Sequence, residues 1–157
     1  MTHWRNNMEY EIRSVKLTKE LAEKWTPLFK QNFNENKESH MEYSIQIQRY
    51  VDLDESDQLL TFGVFEKGTE NVVGYNMFIV QIHPQHGLLS AHQEVIYISP
   101  EHRGLGPRLI RWSDKELDAL GIKVIYYILK SKSRMSGALR KFGYEETERI
   151  YVKYLGV

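Results

Sequence analysis

Between Glu94 and Ile110 the chain reads EVIYISPEHRGLGPRLI, an apolar run that gives way to Arg103, Gly104 and Gly106 and then to Pro107. The run predicts a strand and the glycines a loop. Pro107 predicts the first position of a helix, where the missing N–H had no partner to lose. Glycines allow positive φ and close backbone approach. Free amides at a helix N-terminus aim at one point, and the macrodipole adds partial positive charge there. Arg103 and Arg108 bring two full charges to the same neighbourhood. The combination suits an anion, phosphate or pyrophosphate in particular, although two glycines alone also describe an ordinary strand–helix turn. Two other phosphate motifs do not fit. A Walker loop would end in Gly-Lys-Ser/Thr, and a dinucleotide fingerprint would need a third glycine.

The elements that must position this loop follow from periodicity. Glu9 to Val15 alternates as a first strand. Thr18 can cap a helix whose apolar face is Leu21, Trp25, Leu28, Phe29 and Phe33, with a kink or break expected at Pro27. A shorter helix is expected around Ile45 to Val51. Leu59–Glu66 and Val72–His83 read as a hairpin across Gly68, and His92–Ser99 as the next strand. A helix over Pro107–Leu120 ends at Gly121, and Val124–Leu129 is apolar enough for a strand buried on both faces. Met135, Ala138, Leu139 and Phe142 form a short helical stripe stopped by Gly143, and Glu145–Tyr154 is expected to close the chain as a strand. The order β-α-α-β-β-β-α-β-α-β predicts an α/β chain with one mixed sheet and helices on its faces.

Bulk properties set limits. The 157 residues fit a single domain spanning 1–157, and a chain of this size buries roughly 70% of its unfolded surface. No run approaches the ~18 apolar residues of a membrane helix, and Met1 to Tyr10 lacks the apolar core of a signal peptide. The absence of cysteine removes disulfides, thiolate metal sites and a cysteine nucleophile, and the default address is cytoplasmic. Twenty-one basic residues balance 21 acidic ones, which argues against broad capture of nucleic acid. The histidines His3, His40, His83 and His86 show no ligand spacing, so no metal site is expected.

The segment Ile96-Tyr97-Ile98-Ser99-Pro100-Glu101-His102-Arg103-Gly104-Leu105-Gly106 resembles the acetyl-CoA-binding segment of the GNAT N-acetyltransferases, whose pattern is Arg/Gln-x-x-Gly-x-Gly/Ala after a strand. The element order resembles that family along nearly the whole chain, and a fainter similarity points to members carried by tailed phages. The resemblance implies an α+β fold with a central mixed, mostly antiparallel sheet of six to seven strands and about four helices. It implies acetyl-CoA as acyl donor and an amine as acceptor. Backbone amides from Arg103 to Arg108, through Gly104, Leu105 and Gly106, would hold the pyrophosphate, and Tyr97 and Ile98 would pair with the pantetheine arm. The arm would lie in a splay between the His92–Ser99 and Val124–Leu129 strands. Arg108 departs from the pattern, which usually has Gly or Ala there. Leu139 stands where many members have the tyrosine that protonates the leaving thiolate.

Direct transfer needs a neutral amine and therefore a base. Glu94 and His92 alternate on one face of the strand leading to the loop, and they are the first and second candidates; the alternative is a solvated sheet face. Tyr126, Tyr127 and Tyr144 are the available acids. Lys130, Lys132, Arg134, Arg140 and Lys141 form a basic cluster, in which Lys132 and Ser133 are placed to meet cofactor phosphates. The rival readings of the cluster are a solvated face and a nucleic-acid contact. Two other functions stay open: a binding or regulatory module with weak catalysis, and an acetylating toxin acting on aminoacyl-tRNA. Exposed strand edges make a homodimer a reasonable expectation.

Overall fold

The computed structural model describes residues 9–37 and 40–156. Its sheet has the order β1-β2-β3-β4-β5, from β1 (Tyr10–Val15), β2 (Leu59–Glu66), β3 (Val72–Ile82), β4 (Leu89–Ile98) and β5 (Val124–Tyr126). All neighbours are antiparallel except β4 and β5, which run parallel. Helices α1 (Lys19–Asn36) and α2 (Ile47–Glu55) lie between β1 and β2 in sequence, α3 (Gly106–Ala119) between β4 and β5, and α4 (Met135–Lys141) after β5.

The sheet buries both faces. On one side Trp25, Leu28 and Phe29 of α1 pack with Phe65, Tyr75 and Met77. On the other, Leu109 and Leu117 of α3 pack with Phe62, Phe78 and Ala91. Tyr97 belongs to the first cluster and its neighbour Ile98 to the second, as strand alternation requires. This two-sided burial explains why β2 and β3 read as nearly continuous apolar runs.

Several expectations hold at the level of single contacts. The Thr18 hydroxyl oxygen accepts from the Leu21 amide at 3.1 Å and caps α1. Gly68 turns the β2–β3 hairpin with φ +75°, and Gly143 ends α4 with φ +89°. Helix α1 runs through Pro27 without a break. Ala22, Trp25, Leu28 and Phe29 are buried on both sides of the proline, and their packing keeps the helix whole despite the lost hydrogen bond.

Among the described residues the sheet has five strands, not six to seven. Among the described residues Glu145–Tyr154 forms no strand, and β5 stops at Tyr126 instead of Leu129. A strand exists only against a partner edge, and β5 offers just three ladder residues, Val124, Ile125 and Tyr126. Beyond them the Ile128 amide donates to the Gln93 side chain at 3.1 Å instead of continuing a ladder. The alternating residues Ile150 and Val152 therefore stay exposed, and Tyr154 packs edge-on against His40 at 4.2 Å.

The end of α1 is tied to the end of β4. Tyr97 donates to Glu35 at 2.7 Å, the other Glu35 oxygen pairs with Arg103, and Arg103 Nε donates to the Ile98 carbonyl at 3.3 Å. Burial pushes the Glu35 carboxyl up, but the hydrogen bonds from Tyr97 and Arg103 and the guanidinium charge outweigh it and hold the group below its ordinary 4.5. Burial, with Glu35 as its hydrogen-bond partner, raises Tyr97 to about 12.

Two predictions follow from these contacts. A Cβ on Gly74 would lie 2.8 Å from the Tyr97 carbonyl oxygen. Gly74→Ala should therefore cost about 1–3 kcal/mol, read as a lower denaturant midpoint with unchanged slope. A carboxyl lowered on folding contributes stability above its unfolded pKa and loses it as pH falls through the folded value. Thermal midpoints should then show Glu35→Gln closing its deficit to the wild type as pH drops below 4.5. A deficit constant from pH 7 to 3 would remove the acid-sensitive contact.

Candidate active site

Strand β4 carries the site. Its register with β3 shifts between Met77↔Val95 and Phe78↔Gln93, which leaves Glu94 as an extra residue. Such a bulge re-aims a side chain and raises local twist. The exposed Glu94 carboxylate accepts from the Tyr50 hydroxyl of α2 at 3.0 Å. Burial, the Glu94 charge and this hydrogen bond push the Tyr50 hydroxyl well above its ordinary pKa.

His92 and Glu94, expected together on one face, are separated by the bulge. The His92 ring stacks on Tyr126 with centroids 4.5 Å apart, and its Nε2 lies 3.4 Å from Gln81 Nε2. Burial and the neighbouring His83 hold its pKa below 6.5, against an opposing pull from Glu148.

Glu94, but not His92, lines a cavity of about 580 Å³ between α1, residues 42–46, α2 and the sheet. Phe29, Phe33, Tyr43, Tyr50 and Tyr75 contribute aromatic walls, and Ile45, Leu53, Met77 and Ile79 contribute aliphatic ones. Phe33 meets Tyr43 edge-on at 5.5 Å. Asn32 donates to the Tyr75 hydroxyl at 2.9 Å. The Tyr43 hydroxyl is buried and has no hydrogen-bond partner among the described residues.

Further along β4 the strands part. The parallel ladder ends at His92↔Tyr126, so from Gln93 to Ile98 β4 keeps β3 on one edge and, among the described residues, no strand on the other. Tyr97 and Ile98 lie on this open stretch, and the Ile98 carbonyl is already engaged by Arg103. The chain then makes a short 3-10 turn over Pro100–His102 and enters α3 at Gly106, one residue before the expected Pro107. The amides that precede and open α3, Pro107 excepted, are those the sequence assigned to an anion.

The two glycines of this loop answer to different demands. Gly104 has φ +102°, which L side chains rarely adopt. Gly106 is buried, yet a Cβ there would meet only the Met135 methyl at 3.4 Å, ordinary contact distance. The protein's own packing therefore leaves room for a side chain at Gly106, as a surface kept bare for a close-lying ligand would. The residues present fit a pyrophosphate-bearing cofactor in that respect.

The charged candidates divide. Arg103 is held by Glu35, and Arg108 turns to donate to the Tyr10 carbonyl at 3.0 Å, at the start of β1. Ser133, two residues before α4, accepts from the Met135 amide at 3.2 Å, while Lys132 is exposed. Leu105 is half-buried against the α3-side core.

The three candidate acids are all engaged. Tyr126 meets His86 Nε2 at 3.2 Å. The Tyr127 hydroxyl accepts from Asn76 at 3.0 Å, and burial pushes its pKa up. Tyr144 donates to Asp114 at 2.5 Å, and burial together with that bond raises its pKa far above normal. Leu139 is buried. Among the described residues no cluster could hold a metal ion, and no helix is long and apolar enough to cross a membrane. His3 lies outside the described residues.

Tyr50, Tyr43 and Glu35 carried no signal in the sequence. Tyr50 meets its partner 44 residues away and Glu35 meets Tyr97 62 residues away, beyond any local spacing rule.

No family model and no curated protein matches the chain, but solved structures do. A ribosomal-protein-alanine N-acetyltransferase from Brucella melitensis biovar Abortus 2308 superposes with TM-score 0.73 at 18% identity, covering 94% of this chain and 99% of that one. An aminoglycoside acetyltransferase from an uncultured soil metagenomic sample gives 0.72 at 11%, with 96% and 98% covered. Glucosamine-6-phosphate N-acetyltransferase from Arabidopsis thaliana gives 0.69 at 12%, with 92% and 97% covered. These likenesses lend nothing to the fainter phage similarity. They extend over nearly the whole chain and over acetyltransferases of differing acceptors, and they show that this chain has the GNAT acetyltransferase fold.

Proposed function

We propose that the chain works as a single acetyltransferase domain, moving an acetyl group from acetyl-CoA to an amine by direct transfer within a ternary complex. The observation that carries this reading is the course of β4. It runs from a bulged carboxylate beside a half-open cavity, along an edge with no partner strand among the described residues, to a helix N-terminus where a side chain at the buried Gly106 would meet only the Met135 methyl.

When bound, acetyl-CoA supplies an acetyl group activated as a thioester. The amides from Arg103 to Arg108, without Pro107, would hold its pyrophosphate, and Lys132 and Ser133 stand on the segment before α4 for the outer phosphates. The edge of β4 at Tyr97 and Ile98, where Arg103 already holds the Ile98 carbonyl, would guide the pantetheine arm as an added strand pairs with a sheet. Glu94 takes the proton that an ammonium must lose before it can attack, directly or through one water. Tyr50 orients the carboxylate by its hydrogen bond. His92, the second candidate for base, stands outside the cavity.

Tyr127 and Tyr144 hold their protons more tightly than free tyrosine, which makes them poor donors to a leaving thiolate. Coenzyme A thiolate is instead left to depart without a dedicated acid and to take its proton from solvent afterwards. The same observation favours a second reading, a module that binds acyl-CoA and turns over slowly.

Gly106→Val should weaken acetyl-CoA binding at least about tenfold, or about 1.4 kcal/mol, in calorimetric titration, with the fold unchanged by circular dichroism. Retained affinity would remove the cradle. Glu94→Gln should keep acetyl-CoA affinity and slow turnover roughly 100-fold or more. Unchanged turnover would take Glu94 out of the mechanism, and negligible turnover in the wild type with intact binding would leave the second reading.

A further inference from the structure

We infer that the cavity beside Glu94 takes a small monoamine with a compact apolar body, of arylalkylamine type, rather than a polycationic or phosphorylated aminosugar. The inference rests on the acetyltransferase reading and names the acceptor of that site.

Its size, about 580 Å³, is that of a small-molecule pocket. Its walls decide the class. Five aromatic rings, from Phe29, Phe33, Tyr43, Tyr50 and Tyr75, face a space completed by aliphatic side chains. Such walls reward an apolar body and tolerate one ammonium through their ring faces. They offer little to a ring of hydroxyls, because each hydroxyl would give up water without a partner.

The polar groups of the cavity are few and mostly committed. Asn32 is spent on Tyr75 and Asn36, and Tyr50 on Glu94. Gln46 bonds Ser44 at the exposed rim, and the Tyr43 hydroxyl, buried and without a partner among the described residues, is the hydrogen-bonding handle that the walls leave for the ligand body. The charges count against a polycation: the lining has two carboxylates, Glu94 and Glu42, and one guanidinium, Arg49. With Glu94 facing the reacting nitrogen, Arg49 would oppose most of what Glu42 could offer to further positive charges. Two carboxylates would repel a phosphate, and Arg49 alone is a thin site for one. A peptide N-terminus with an apolar first residue shares the amine and the apolar body. The test separates that peptide from the free small amine, which the half-open cavity can hold against residues 42–46 where Tyr43 packs on Phe33 of α1.

The test uses the full chain and acetyl-CoA with phenethylamine, kanamycin, glucosamine 6-phosphate and a Phe-Ala dipeptide as acceptors. Released thiol is read with an aromatic disulfide reagent, to which the chain contributes no background because it has no cysteine. Phenethylamine should exceed each of the others at least about tenfold in kcat/KM, and Ile45→Lys should remove that preference while acetyl-CoA affinity stays the same. A higher kcat/KM for kanamycin, the aminosugar or the dipeptide would overturn the inference and leave the acetyltransferase reading standing. Failure to bind acetyl-CoA would defeat that reading instead. In that case phenethylamine is titrated directly into the protein: binding lost in Ile45→Lys supports the cavity assignment, and no binding overturns it.

Discussion

At His92 the strand β4 loses one of its two neighbours, and the candidate site is built from what that loss leaves open. Up to this point β4 is held by β3 and β5 together. Beyond it, only β3 continues, while the backbone on the other edge still needs hydrogen-bond partners. The protein meets part of that need with side chains. Arg103 donates to the Ile98 carbonyl, and on the segment beyond β5 the Ile128 amide donates to the Gln93 side chain. Between those two contacts lies the stretch on which the proposed cofactor arm depends.

The half-open strand is held in place from both faces. On the α1 side, Trp25 stacks near Tyr75 and meets Phe65 edge-on, so one aromatic cluster fixes the helix over β2 and β3. The Glu35 carboxylate then joins the end of that helix to Tyr97 and Arg103. On the α3 side, Leu109 and Leu117 are fully buried, and Ser113 donates to the Leu109 carbonyl while accepting from Asn76. Each fully buried aliphatic side chain contributes about 1.5–3 kcal/mol. The loop before α3 can thus stay exposed and glycine-rich while the elements on either side of it are rigid.

Where burial and spacing act locally, the sequence was legible. The Thr18 cap, the α1 stripe, the β2–β3 hairpin, the strand–loop–helix around Gly104 and Gly106, and the stop at Gly143 all declare themselves within a few residues. Alternation failed where pairing, not composition, decides. Glu145–Tyr154 alternates as a strand should, but β5 is too short an edge to seat it. It failed again at Glu94, because a bulge depends on the facing strand and leaves no mark in its own residues. The cavity was illegible for a related reason: Phe33, Tyr43, Tyr50 and Tyr75 come from four separate segments. Arg108, read as a charge for the loop, instead reaches back to Tyr10, 98 residues earlier.

The bulge gives β4 something like a reading frame. Val95 and Tyr97 face α1, and Ile96 and Ile98 face α3, only because one residue has been counted out of step at Glu94. Core substitutions on either side change volumes but leave that count alone. Removing or adding a single residue between Gln93 and Val95 would do the opposite, rotating one half of the strand against the other. The lining of the cavity can therefore change by substitution, while the length of one short segment cannot change without turning half the strand over.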